Sequence, residues 1–163
     1  MRKLFFLLAV PFLMTACIKD EPNNTCQLTL SKAVAPASEI ASVQNYLAAN
    51  SITATQHPSG LYYVVNNPGA ALTPTACSAV TVKYVGRLTN GSTFEDSNTN
   101  NPNGITFTLG QLIAGWQIGI PLVQKGGSIT LYIPPSLGYG QNASGPIPGN
   151  SILIFTIELV NVQ

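Results

Sequence analysis

Charge is scarce in this chain: only 8% of its 163 residues are Asp, Glu, Lys or Arg, with seven basic and six acidic side chains. There is no basic run or patch, which argues against a nucleic-acid partner, because phosphate backbones are held by clustered Lys and Arg. Histidine occurs once, at His57, and the three cysteines are scattered, so no ligand set for a metal is written in the sequence. No apolar run reaches the roughly 20 residues a membrane-crossing helix needs. The longest, Leu4 to Met14, is shorter than that and interrupted by Pro11. No internal repeat divides the chain, whose length suits one domain.

What is present begins at the amino terminus. Arg2 and Lys3 precede the apolar run, and the run ends in Leu13-Met14-Thr15-Ala16-Cys17. A basic start, a short apolar core and small residues before a cysteine read as an export signal over residues 1–16, cleaved ahead of a lipidated Cys17. The expected anchor is a set of acyl chains rather than a spanning helix. Residues 17–36 read as a tether, polar from Lys19 to Thr25. Position 18 is Ile rather than Asp, which favours the outer membrane, and Lys19-Asp20-Glu21 resembles the surface-export signals of some lipoproteins. Without Arg2 and Lys3 the remaining side chains are almost charge-balanced, five basic against six acidic. Outside the cytoplasm Cys26 and Cys77 are candidates for a disulfide.

Residues 37–58 read as a helical segment. Ile40, Val43 and Leu47 recur at helical spacing, with Ser38 able to cap the start, Glu39 suited to the positive end and Asn50 able to stop it. Beyond it the period changes to two. Leu61 to Val65 reads as a strand, followed by the turn residues Asn66-Asn67-Pro68-Gly69. Val80, Val82 and Tyr84 alternate with Thr81, Lys83 and Val85, and Asn90-Gly91 is a tight-turn signal. Ile105, Phe107 and Leu109 share one face of a strand, as do Ile129, Leu131 and Ile133. Between them Ile113 to Val123 reads as a short helix that Pro121 must disturb. Pro134 to Asn150 is a loop rich in Gly and Pro, and Ser151 to Val162 a closing strand. Strands outnumber helices, which points to an antiparallel α+β domain over residues 59–163.

Five segments in the second half carry a sharper signal. They are Val82-Lys83-Tyr84-Val85-Gly86-Arg87-Leu88, Gly91-Ser92-Thr93-Phe94-Glu95, Leu112-Ile113-Ala114-Gly115-Trp116, Leu137-Gly138-Tyr139-Gly140, and Pro146-Ile147-Pro148 leading to Ile152-Leu153-Ile154-Phe155. In order and spacing they resemble the catalytic domain of FKBP-type peptidyl-prolyl cis–trans isomerases. The resemblance implies a curved antiparallel sheet wrapped around a short helix, here with a helical extension ahead of it. It implies an apolar, aromatic pocket in which Trp116 is the floor and Tyr84, Phe94, Ile113 and Phe155 are walls. Tyr139 and the backbone N–H of Ile113 would donate to substrate carbonyls, Ile147 would sit in a flap, and Ile105 and Leu112 would complete the substrate surface. Phe107, Leu131 and Ile133 are assigned to the core. Three departures stand out: Glu95 where Asp is common, Ile105 where an aromatic is common, and Pro146 before Ile147 without the frequent histidine ahead. The family's acidic position thus falls to Glu95 or Asp96, and the sequence leaves both open.

The expected activity is isomerisation of prolyl bonds in exported polypeptides, with no cofactor and with macrolides as possible ligands. Two other classes are compatible with the same residues: a non-catalytic chaperone or proline-binding module of the envelope, and a structural lipoprotein that uses only the fold.

Overall fold

The computed structural model describes residues 26–163. The proposed signal, Cys17 and the tether up to Thr25 lie outside the described residues. Seven strands form one sheet: β1 (Thr55–Gln56), β2 (Tyr62–Asn67), β3 (Ala79–Leu88), β4 (Thr93–Asp96), β5 (Ile105–Thr108), β6 (Ser128–Ile133) and β7 (Leu153–Val162). Their order is β1-β2-β6-β7-β3-β4, with β5 pairing the first half of β3, and every pairing is antiparallel. β7 follows the other six strands in sequence yet lies between β6 and β3, so the sheet is complete only once β7 is in place.

Alternation decides what each face carries. On β3, Val80, Val82 and Tyr84 are buried while Thr81, Lys83 and Val85 are half-buried. On β7, Leu153, Phe155, Ile157 and Leu159 are buried and Thr156 and Glu158 exposed. β6 breaks this pattern: Leu131, Tyr132 and Ile133 are all buried. Consecutive residues point to opposite faces, so this strand must be covered on both.

One cover is the short helix α2 (Ala114–Gly119). Gly115 and Gly119, four residues apart, face β6. A Cβ on Gly115 would lie 2.6 Å from Ile133 Cγ2, and one on Gly119 2.6 Å from Leu131 Cδ1. Glycine is thus what lets this helix sit so close to the sheet. α2 gives way to a 3₁₀ turn, Ile120–Leu122, which contains Pro121. A residue without an N–H cannot continue the α-helical ladder.

The other cover is helix α1 (Ala37–Ala49), whose Val43 and Leu47 pack with Tyr62, Tyr132, Val64 and Ile154. Tyr62, Tyr132 and Ile154 are cross-strand neighbours in one row. The next row, Tyr63, Leu131, Phe155 and Gly86, belongs to the opposite face. The expected cap is displaced. The helix starts after Pro36, whose carbonyl accepts from the N–H groups of Glu39 and Ile40, and Ser38 makes no cap bond. Glu39 instead accepts the Ser136 N–H at 2.9 Å, joining α1 to the 3₁₀ turn Pro135–Leu137. At the other end the Asn50 side chain donates to Tyr46 O at 2.8 Å, and Ser51 takes the left-handed backbone (φ 55°). Ahead of α1, residues 26–36 run across the surface as a strap. Cys26 and Cys77 are joined by a disulfide, with Cα atoms 5.9 Å apart, and the Ala35 N–H donates to Ser59 O at 2.9 Å. No described helix is long and apolar enough to cross a membrane.

Candidate functional site

The site is on the α2 side of the sheet. Tyr84 projects from β3, Phe155 from β7, Ile105 and Phe107 from β5, and Trp116 from α2, around a cavity of about 360 Å³. Trp116 is the floor, only 5% exposed. Three rings meet it nearly edge to face: Tyr84 at 4.9 Å and 83°, Phe155 at 5.1 Å and 89°, and Phe107 at 6.3 Å and 86°. This is the preferred geometry for aromatic quadrupoles, each such pair adding about 0.5–1.5 kcal/mol beyond area burial. The box surrounds the indole, whose N–H is buried without a partner among the described residues, and leaves the space above it open.

A β-bulge brings the acidic group in. Gly86 pairs with Glu95, but Arg87 pairs with Thr93, so Phe94 is the extra residue on β4. An extra residue re-aims the side chains beside it. Phe94 thereby crosses over Gly86, where a Cβ would run into the Phe94 ring and lie 2.9 Å from Phe155 Cε1. There it meets Phe155 edge to face at 5.4 Å and 85°. Glu95 turns to the cavity and accepts the Tyr84 hydroxyl at 2.6 Å. Asp96 does not reach it; its exposed carboxylate accepts the Asn98 N–H and side-chain amide, each at 2.9 Å. Of the two carboxylates, Glu95 lines the cavity and Asp96 does not.

The remaining wall is Leu112 and Ile113, at the entrance to α2. Among the described residues no acceptor takes the Ile113 N–H, which leaves a donor at the cavity edge. Tyr139, from the loop after β6, stands at the mouth with 39% of its surface exposed. Burial, and then the hydrogen bond and charge of Glu95, push the Tyr84 phenol well above its ordinary range. Burial first and Glu95 second raise Tyr139 as well. The Tyr84 hydroxyl donates to Glu95, and the Tyr139 hydroxyl can donate to a ligand at the mouth.

Besides Asp96, two residues singled out in the sequence lie elsewhere. Phe94 backs Phe155 rather than lining the cavity, and Ile147 is buried in the core at 5% exposure. A bridge closes the Ile147 loop, with Ser144 and Ile147 each donating to the other's carbonyl at 2.9 and 3.0 Å. Phe107, assigned to the core from sequence, is half-buried and lines the cavity. The signal for it was the alternation itself, which put Phe107 on the same strand face as Ile105. Among the described residues no group of three His, Cys, Asp or Glu is placed to hold a metal ion. The arrangement offers an apolar, desolvated floor, one carboxylate engaged by a phenol, and two donors at the rim.

The sequence pattern of FKBP-type peptidyl-prolyl cis–trans isomerases matches residues 71–160. The chain is 45% identical over 106 residues to the FKBP-type isomerase FkpA of Buchnera aphidicola, covering 64% of this chain and 42% of that protein. The crystal structure of FkpA from Escherichia coli superposes with a TM-score of 0.69 at 35% identity, covering 78% of this chain and 60% of that one. A peptidyl-prolyl cis–trans isomerase from Pseudomonas syringae superposes with a TM-score of 0.66 at 28% identity, covering 79% of this chain and 97% of that one. The chain spans less than half the length of the curated relatives it matches first, 42% and 45%.

Proposed function

The chain belongs to the FKBP-type peptidyl-prolyl cis–trans isomerase family, and we propose that it catalyses rotation about prolyl bonds in other polypeptides. The observation that carries this reading is the Trp116 floor, boxed by three edge-on rings beneath an open apolar cavity.

The physical reason is the electronic structure of the amide. Resonance gives the planar prolyl bond a barrier of about 18–20 kcal/mol and a strongly polar carbonyl. In the twisted transition state resonance is lost and the group is less polar. A cavity that withholds water penalises the planar form more than the twisted one, and that difference lowers the barrier. No covalent step and no proton transfer is required. In this reading the proline ring rests on Trp116 between Tyr84 and Phe155, with Ile105, Phe107, Leu112 and Ile113 excluding water. The Tyr139 hydroxyl and the Ile113 N–H hold the flanking carbonyls. Glu95 fills the acidic position, holding Tyr84 in its rotamer, and Phe94 and Ile147 act from behind as supports for the wall and the flap.

The isomerase unit in this proposal is residues 59–163, with residues 37–58 as a helical segment packed on its back. Its substrates are proline-containing polypeptides exported to the cell envelope. The Cys26–Cys77 disulfide supports that location, since such bonds persist in oxidising compartments. A lipid anchor on Cys17, an outer-membrane position exposed at the surface or not, and macrolide ligands for the same cavity complete the proposal.

The deciding experiment is refolding of a protein whose slow phase is prolyl isomerisation, with and without the purified chain. Acceleration of that phase, lost in Trp116→Ala, is the expected result. Equal rates with and without the chain defeat the enzyme reading and leave a non-catalytic proline-binding module.

A further inference from the structure

The cavity wall formed by Leu112 and Ile113 hangs on a loop that the strap touches at both ends. At its start, Leu109 and Gly110 donate their N–H groups to Ser78 O (3.0 Å) and Ala76 O (2.8 Å). The residue between those two acceptors is Cys77, which carries the disulfide to Cys26. Strap residue Leu28 lies directly over this loop: a Cβ on Gly110 would lie 3.0 Å from Leu28 Cβ and 2.8 Å from Ala76 O. Glycine is therefore required there for the strap to pass.

At its far end the loop is held by one side chain, Gln117 on α2. The Gln117 amide nitrogen donates to Leu112 O at 2.6 Å and to Gly110 O at 3.2 Å. Its amide oxygen accepts the Ser31 N–H, from the strap, at 2.8 Å. The orientation of the amide is dictated by its partners: a backbone N–H can only donate and two carbonyls can only accept. Gln117 neighbours Trp116 in sequence, so the same turn of helix carries the cavity floor and the clasp of the cavity wall.

We propose that Gln117 is a positioning residue that couples the disulfide-tethered strap to the substrate-facing wall at Leu112 and Ile113. The assignment rests on the isomerase reading for its consequence in catalysis, but the coupling itself is a property of the fold. With strap and clasp in place, the wall is fixed at the distance the proline ring needs. With either released, the wall loosens and the cavity admits water. Displacements of about 1 Å at a reacting centre are enough to cost up to a hundredfold, while a single lost neutral hydrogen bond corresponds to about fivefold.

The test uses the full chain with Gln117→Glu, which keeps the acceptor for Ser31 but loses both donors to the loop. With two hydrogen bonds lost, we expect roughly five- to thirtyfold lower kcat/KM on a prolyl peptide, without collapse of the thermal transition. Amide hydrogen exchange at Leu109, Gly110 and Leu112 should accelerate. Reduction of the Cys26–Cys77 disulfide should produce the same acceleration in the wild type and add nothing in Gln117→Glu. Ser31→Pro, which removes the strap's donor together with the hydroxyl that accepts the Ala33 N–H, should reproduce the effect of reduction, and Ser31→Ala, which loses the hydroxyl alone, should not; this pair carries the test if the glutamate variant does not fold. Unchanged exchange in the variants, or an equal effect of reduction in both backgrounds, overturns the coupling. A wild type without isomerase activity would sink the proposed function while the exchange rates still decide the role of Gln117.

Discussion

Two aromatic clusters lie back to back on the same sheet, and only one of them is open. On the α2 face, Tyr84, Phe107, Trp116 and Phe155 surround a cavity of about 360 Å³. On the other face, Tyr62 and Tyr132 pack with Val43 and Leu47 of α1, and Tyr46 stands 6.4 Å from Tyr132. The open cluster bonds its central phenol to a carboxylate, Tyr84 to Glu95. Each cluster also buries one polar atom without a partner among the described residues, the Tyr62 hydroxyl in the closed one and the Trp116 indole nitrogen in the open one. Aromatic content does not distinguish a site from a core. What distinguishes them is whether an element of the chain lies across the rings or leaves a cavity above them.

The largest effect expected from this contrast is that of Trp116→Ala. It removes the floor of the open cluster and should cost about 3–5 kcal/mol of stability. It should also abolish acceleration of proline-limited refolding, measured below the lowered transition. A variant that folds and retains full rate would show that the open cluster is merely a core with a dent. Its counterpart is Leu47→Ala, a fully packed residue of α1 at 5% exposure. Truncation there should cost about 2–5 kcal/mol by opening a void. Catalysis by the folded fraction should be unchanged, because Leu47 packs on the opposite face. A drop in kcat/KM equal to that of Trp116→Ala would mean the two faces are not independent.

How far each cluster could be read from sequence differs in the same way. The open one was legible because its rings sit in short motifs with fixed spacing, and Val80, Val82 and Tyr84 alternate cleanly on β3. The closed one was not. Tyr62 and Tyr132 lie seventy residues apart, on strands whose pairing register no local pattern states. Helix α1 was legible as a packing helix from Ile40, Val43 and Leu47, but the face it covers was not. The choice between Glu95 and Asp96 was also out of reach. Adjacent residues in a regular strand point oppositely, and only the bulge at Phe94 reveals which carboxylate turns inward. Phe107 is hard to place for another reason: taken singly it reads as core, and only its alternation with Ile105 puts it on the cavity side of β5.

A smaller effect follows from the bond inside the open cluster. Tyr84→Phe removes a hydrogen bond to a charged acceptor, which is worth about 1.5–3 kcal/mol when buried. The cavity is open to solvent on one side, so the lower figure is expected. Glu95 should then lose its fixed rotamer, and the discrimination between peptides differing in the residue before proline should narrow. Equal stability and equal discrimination would show that the pair is incidental.

Alkaline titration sharpens the contrast without mutation. Burial raises the phenols of Tyr84 and Tyr139 in the open cluster and of Tyr132 in the closed one above the ordinary value of 10.0. Each holds its proton in the folded chain at a pH where the unfolded chain has lost it. The unfolded state then binds fewer protons, so this contribution to stability is complete below pH 10 and declines as pH rises beyond it. Chemical denaturation midpoints should be flat up to that point and fall above it. In Tyr84→Phe the fall should be shallower, since the group raised by both burial and Glu95 is gone. An identical slope in wild type and variant would mean that Tyr84 does not carry the linkage.

The smallest expected effect is Tyr62→Phe, and it isolates what the closed cluster lacks. A buried hydroxyl without a partner forfeits its hydrogen bonds to water on folding and gains nothing in return. Deleting it leaves the ring to pack against Val43, Leu47 and Tyr132 unchanged. Stability should therefore stay level or rise by about 1 kcal/mol, against the loss expected for the chemically identical change at Tyr84. Isomerase activity should not move. A clear loss of stability at Tyr62 would mean that its hydroxyl does find a partner in solution, a water or the backbone of α1. The contrast between the two phenols would then vanish, and the openness of one cluster alone would have to explain why it is the site.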